Sequence, residues 1–382
     1  MKKVLMGTTA IGAAALMAGP AAAQDGKISL GVGGYYENFF TFVEQDFDGG
    51  DNDYNQFNVR QEGEIHFTGE TTLDNGLTVG FQAQLEAVTQ GDQIDETYLY
   101  FEGSWGRLVM GSENSAPYLM QYTAPSAGLG LNSPNISPFN DISAAGTSTL
   151  LNQVSDANKI TYFTPRFAGF QLGASYTPNI DETGGDRQSS DLNTSEDEDD
   201  YNNFFGIGAN FVESFNGVDV AIAGGFEYGM EEEDDVSGPV NNFVIDPDTG
   251  AIVNRPTTPG DGDIDDYVAF SGGVNVGFAG FTVGGSVLHS NGGLENDGDV
   301  LVWDVGVTYG QGPWEIGATY LNGETETTGG DDQLHRVEIG GRYRLSPGVR
   351  VVGAIQYTDE EDNSANREED AWGVIIGTRL DF

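Results

Sequence analysis

Residues 371–382 read AWGVIIGTRLDF. At a period of two, Trp372, Val374, Ile376, Thr378, Leu380 and Phe382 share one face, and Gly373, Ile375, Gly377, Arg379 and Asp381 share the other. The first face is apolar with aromatic rings at both ends; the second is mostly small or charged. A strand divided in this way has lipid on one side and water on the other, with its rings at the two interfaces of an apolar band. The last strand of a soluble sandwich would explain this segment alone, so the rest of the chain has to decide.

The opposite end agrees. Lys2 and Lys3 precede an apolar run from Val4 to Ala18, and Ala21-Ala22-Ala23 offers a small-residue cleavage site. Residues 1–23 therefore read as a secretory signal and 24–382 as a single domain. No later stretch approaches the roughly 20 apolar residues of a transmembrane helix, so a bilayer-bound form of this chain crosses with strands. Of the 15 basic residues, the signal takes two, leaving 13 against 60 acidic ones and a formal charge of −47. Such a chain repels nucleic acid and anionic surfaces. It has no cysteine and hence no disulfide framework; 56 glycines with 11% aromatic residues suit many strands and turns, not disorder.

From Lys27 onward about sixteen segments alternate. Ile28 to Phe42 sends Ile28, Leu30, Val32, Tyr36, Phe40 and Phe42 one way, with Asn38 as a misfit. In the second segment Arg60, Glu62, Glu64, His66, Thr68 and Glu70 face one side, with Ile65 and Phe67 on the other. Each of those polar side chains would cost about 1–3 kcal/mol in a dry sandwich core, so the face they share requires water. Tight turns such as Asp74-Asn75-Gly76 alternate strictly with longer connections, seven short and eight long. Every long acidic segment then lies at one end of the molecule and only turns at the other. The expected fold is all-β: a transmembrane antiparallel up-and-down barrel of about sixteen strands, closed because hydrocarbon tolerates no open edge. Trp105, Phe167, Phe278 and Trp314, at the turns, fit an aromatic girdle. Between Glu113 and Ala157 the alternation vanishes, and Pro117, Pro125, Pro134 and Pro138 stand among Ser, Asn and Gly. A loop this long inside a compact domain is generally functional, and Tyr118, Leu119, Met120, Tyr122, Leu150 and Leu151 give it more apolar weight than a solvated loop needs.

With these features, and with Gly106-Arg107-Leu108-Val109-Met110-Gly111 before the long loop and Lys159-Ile160-Thr161-Tyr162 and Phe167-Ala168-Gly169-Phe170 after it, the chain resembles the general diffusion porins of Gram-negative bacteria. The resemblance spans residues 24–382. It implies an outer-membrane location, a homotrimer, passive diffusion of small hydrophilic solutes and ions, and a third long loop, residues 113–157, folded into the lumen as a constriction. Enterobacterial members carry Pro-Glu-Phe-Gly-Gly on that loop and arginines on the facing wall. Here the segment is missing, and the positions of those arginines fall on Glu64, Tyr98 and Ser155.

The residues expected at the constriction follow. Glu113, Asp141 and Asp156 are the loop's only acids. Parity directs Arg60, Lys159, Arg336 and Arg342 into the lumen as the wall facing the loop, alongside Glu62, Glu64, His66, Tyr98 and Glu338; an ordinary lumen ion pair is the structural alternative for each base. Lys27, Arg107, Arg344, Arg350 and Arg379 read as a basic rim at the turn end. Lumen acids slightly outnumber lumen bases, and the acidic loops add to them, so a mild cation preference is expected.

Three other functions compete. A channel selective for sugar or phosphate would use rings such as Tyr35, Phe39, Tyr98, Tyr100 and Phe163. An enzyme has little support: His66, His289 and His335 are the only histidines, and no G-x-S-x-G, H-E-x-x-H or glycine-rich phosphate loop occurs. A calcium-binding protein would use Asp46 to Asp53, Asp246 to Gly250 or Gly260 to Asp263, but none keeps the EF-hand spacing. Neither a cofactor nor a dedicated metal site is expected; acidic loops bridged to lipopolysaccharide by divalent ions are the simpler account.

Overall fold

The structure, a computed structural model, describes residues 28–47, 55–88, 94–139, 147–180, 201–231, 241–245, 252–256, 265–294, 298–327, 330–363 and 367–382. The secretory signal expected over 1–23, Lys27, Asp141 and most of the long acidic loops lie outside the described residues.

Alternation becomes a wall. The strands are β1 (Ser29–Phe47), β2 (Phe57–Thr72), β3 (Thr78–Glu86), β4 (Thr97–Gly103), β5 (Gly106–Ser112), β6 (Asn158–Phe163), β7 (Phe170–Asn179), β8 (Tyr201–Phe215), β9 (Val218–Glu231), β10 (Asn241–Ile245), β11 (Ile252–Pro256), β12 (Tyr267–Phe278), β13 (Phe281–Ser290), β14 (Val300–Gln311), β15 (Trp314–Thr325), β16 (Asp332–Ser346), β17 (Val349–Asp362) and β18 (Arg367–Asp381). Sixteen of them form one closed antiparallel barrel in which each strand pairs with its sequence neighbours, β9 pairs with β12, and β18 closes on β1. The seam runs from Tyr35↔Asp381 to Phe47↔Glu369. Its end is pinned by two backbone hydrogen bonds: the Gly34 N–H donates to the Phe382 carbonyl at 2.9 Å, and the Phe382 N–H donates to the Gly34 carbonyl at 3.0 Å. No free strand edge remains in this wall.

The strands β10 and β11 stand apart as a two-stranded sheet inside what the sequence presents as an acidic loop. Phe243-Val244-Ile245 and Ile252-Val253 are β-prone, but runs this short do not stand out among the surrounding acids. The loop 113–157 likewise contains an element that alternation cannot reveal, helix α1 (Ala116–Met120), with Ser115 as its N-cap and a proline in its first turn.

The burial pattern is inside out relative to a soluble protein. On β18, Trp372, Val374, Ile376 and Leu380 are exposed, Ile376 at 56%, whereas Ile375 on the opposite face is 1% exposed. The exposed apolar face is the lipid-facing band. At the turn end Phe167 is 82% exposed and Trp105, Phe278 and Trp314 are exposed with it; Trp105 stacks on Tyr162 and Trp314 packs on Tyr343. Among the described residues no helix is long and apolar enough to cross a membrane. What packing core there is lies between the inner wall and the long loop. Leu151 and Val154 of the loop meet Tyr201, Phe204, Tyr267, Ala269 and Leu288. Ile136 meets Phe39, Val352, Ala354 and Ile375.

Candidate functional site

The loop 113–157 enters the barrel and runs along its inner face. Helix α1 lies against β7, β8 and β9. There the Ala116 N–H donates to Ser175 Oγ at 2.7 Å and Ser115 Oγ donates to Glu227 at 2.9 Å. The chain then crosses strand after strand. Asn275 donates to the Thr123 carbonyl at 3.0 Å, the Ala124 N–H donates to Asp304 at 3.1 Å, and Thr319 donates to the Pro125 carbonyl at 3.0 Å. At β16, Glu338 accepts from Ser126 Oγ at 2.5 Å, from the N–H of Leu129 at 2.9 Å and of Gly130 at 3.1 Å, and from Gln356 at 2.8 Å. Asn135 reaches Tyr35 Oη at 3.0 Å. On the way back Thr149 pairs with Ser286 at 2.6 Å and its N–H donates to Asn132 Oδ1 at 2.7 Å. The base is closed by Lys159, whose ammonium donates to the carbonyls of Glu113, Ser155 and Ala157, and by Ser112 on the Asp156 carbonyl.

Close approach requires inner positions without side chains. A Cβ on Gly173, Gly208, Gly225, Gly273, Gly306 or Gly340 would collide with the loop; at Gly273 it would fall on the Tyr122 carbonyl oxygen. These glycines, together with the lone polar residues Glu227, Asn275 and Thr319, are loop-holding positions that the sequence reading did not single out; Asp304 it placed in the lumen by parity. The signal that marks the glycines is their recurrence at lumen parity on strand after strand from β7 to β16. A G273V variant is therefore expected to keep the barrel but push the loop off β12. Proteolysis of the folded protein near residue 122 checks this, since the wild-type segment is held on both sides and resists cutting.

The expected site residues divide. Arg60, Glu62, Glu64 and His66 share the inner face of β2, and Tyr98 lies on β4; none of the loop hydrogen bonds named above goes to β2 or β3. Glu64 accepts from Tyr35 Oη at 2.6 Å and meets His66 Nε2 at 2.7 Å. Its carboxylate lies with those of Glu86 and Asp95, one oxygen of each being within 4.8 Å of the others. The remaining residues are elsewhere. Lys159 and Glu338 are buried under the loop, at 4% and 1% exposure. Arg342 pairs with Glu315 at 2.7 Å. Arg336 is buried on β16 at the level of Thr358. Three of the turn-end bases have acidic partners: Arg379 pairs with Glu37 at 3.1 Å and Asp381 at 2.9 Å and covers the Tyr35 ring, Arg350 pairs with Asp381 at 3.6 Å, and Arg107 lies 4.0 Å from Glu102 and covers Tyr100.

Glu96 and Glu113 flank the loop base just outside the strands, and both are buried. Burial raises the Glu96 carboxyl, and the neighbouring Glu113 and Asp95 charges raise it further. Burial also raises Glu113, opposed by hydrogen bonds from the Asn114 N–H and Tyr98 and by the Lys159 charge. A carboxyl raised in the folded state contributes stability that is present below its unfolded value and lost as pH rises through its folded one. Amides at the loop base, residues 113–116 and 155–159, are thus expected to be better protected from hydrogen exchange at mildly acidic than at alkaline pH, after correction for intrinsic rates.

A family model described as Gram-negative porin matches residues 7–363. An uncharacterized protein of Rickettsia bellii is 23% identical over 257 residues, 59% of this chain and 57% of that protein, so this chain matches little more than half the length of that relative. The anion-selective porin from Comamonas acidovorans has a TM-score of 0.60 at 15% identity, covering 93% of this chain and 100% of that one. The trimer form of OmpT from Vibrio cholerae has a TM-score of 0.58 at 15% identity, covering 93% and 99%. At such identities the two structures share the fold. Because the family match runs over nearly the whole barrel, and the strands build the architecture that these structures share, the chain belongs to the Gram-negative porin family.

Proposed function

We propose that the barrel is a water-filled outer-membrane channel for passive diffusion of small hydrophilic solutes and ions, that it prefers cations, and that it assembles as a homotrimer. The observation that carries the cation preference is the group of carboxylates on and beside β2 and β3, Glu64, Glu86 and Asp95 with Glu62 nearby, set against basic residues of which Arg342, Arg350 and Arg379 are held in ion pairs and Lys159 is sealed under the loop. Charge lining a pore biases which ions enter, and low-dielectric walls focus its field. In this reading Arg60, Glu62, Glu64, His66, Tyr98 and Glu113 line or flank the narrow part. Lys159 and Glu338 hold the loop in place, and Arg336 and Arg342 lie away from the narrowing. The polarity is opposite to the anion selectivity in the Comamonas protein's description.

Free diffusion is favoured over sugar selectivity because three of the five candidate rings do not offer open faces. Phe39 is 1% exposed, and Tyr35 and Tyr100 each lie beneath a guanidinium. The trimer rests on the OmpT trimer form and on the shared fold. The test is the purified protein in a planar bilayer under a salt gradient, with neutral sugars of graded size added. A reversal potential of cation sign at low salt, and partition that falls smoothly with sugar size, are expected. Anion sign, or block of conductance by one particular solute, would overturn the respective part.

A further inference from the structure

The end of the β17–β18 hairpin nearest its loop carries an arrangement that permeation does not use. Asp359, Glu360 and Glu361 pair in register with Asp370, Glu369 and Glu368, three consecutive cross-strand pairs of like charge, and Asp46 of β1 lies opposite Asp370 in turn. Like charges directly opposite one another destabilise a sheet, so this hairpin needs compensation. Two arginines supply part of it. Arg367 pairs with Asp362 at 3.3 Å and with Glu369 at 2.9 Å. Arg336 on β16 acts on Glu360 through space without a hydrogen bond to it.

Glu360 is the residue left over. It is 2% exposed, and neither of its carboxylate oxygens has a hydrogen-bond partner. It opens, with Glu369 and five other acids of β1, β17 and β18, onto a recess of about 250 Å³ lined only by carboxylates. A buried anion with no donor is strongly unfavourable, and a cavity lined by acids is the surroundings that a cation satisfies.

We propose that this recess binds a divalent cation of the Ca²⁺ type, with Glu360 and Glu369 as its carboxylate ligands. Two carboxylates match the charge of one such ion. Directly opposed residues on one face of an antiparallel pair stand only about 4.5–5.5 Å apart at Cβ, near enough to share it. A lining of oxygens without nitrogen or sulfur suits a hard cation over a transition metal. The bound ion converts the ladder of like charges from a repulsive edge into a clamp holding β18 to β17, one strand from the barrel's closing seam.

The test is amide hydrogen exchange over residues 357–372 of the intact protein in detergent, first stripped with chelator and then titrated with CaCl₂. Binding at ten times the dissociation constant is expected to slow exchange about tenfold in the wild type, and E360Q and E369Q to remove that protection. In chelator E360Q is expected to exchange more slowly than the wild type, because it lacks the unpartnered charge, so adding Ca²⁺ reverses the order of the two proteins. If Ca²⁺ leaves the wild-type hairpin unchanged, or protects E360Q and E369Q as well as the wild type, the site does not exist and the row of acids is only a solvated rim. The readout is local to the hairpin and independent of ion selectivity, so its failure and a failure of the channel reading are separable.

Discussion

Replacing Glu338 by alanine is expected to loosen the inner loop more than any other single change in the lumen. The carboxylate is 1% exposed and receives four donors, two of them backbone N–H groups of Leu129 and Gly130 that have no other acceptor among the hydrogen bonds described. Each hydrogen bond to a charged group contributes about 1.5–3 kcal/mol, and water in the lumen will recover part of the loss, so a net local cost of about 2–4 kcal/mol follows. The loop remains tied at Ala124 and Asn132 through Asp304, so the segment between them is what swings free. Single-channel conductance is expected to rise and to become noisy, and protease to cut within residues 126–131 of the folded barrel. E338Q keeps the shape and one acceptor oxygen but sets a donor against the loop amides, so it should fall between alanine and wild type. Conductance and cleavage unchanged in E338A would mean that the loop is held by its other contacts alone.

Neutralising Glu62, Glu64 and Glu86 together, as the triple glutamine variant, is expected to remove most of the proposed cation preference. At 0.1 M salt the Debye length is about 10 Å, so the carboxylates act across the narrowing; at 1 M it is about 3 Å and they act only on ions in contact. The wild-type reversal potential should therefore shrink as salt rises, whereas that of the variant should start small and change little. The fold is expected to survive, because these residues are only partly buried and glutamine at 64 still accepts from Tyr35. A reversal potential equal to wild type at low salt would place selectivity elsewhere, in the acidic loops or at the turn-end mouth.

The wall was legible residue by residue. Parity assigned Glu62, Glu64, His66, Asp304 and Glu338 to the lumen and Ile376, Trp372 and Phe278 to lipid because a strand allows a side chain only two directions, and two such different solvents divide the residue types sharply. Parity says nothing about what lies over an inward side chain. Lys159 and Arg60 look alike in the sequence, yet one is sealed beneath three loop carbonyls and the other faces the lumen beside Glu62. The difference depends on which of the sixteen strands the loop crosses on its way round. That path is set by contacts between residues more than 200 positions apart, such as Ser126 with Glu338.

By itself, the order of residues determined a closed barrel, its two faces, the end bearing the turns and the existence of a long loop without alternation, because each of these follows from a local period or a local break in it; that the loop turns inward is what the resemblance implied. Only the tertiary structure decided that the loop lies on glycines of β7–β16, that Glu338 and Asp304 hold it, and that Glu64, Glu86 and Asp95 gather beside it. Those are meetings of distant strands on a curved surface, where small inner residues let the backbone approach and buried acceptors must find donors, and no short stretch of sequence contains both partners.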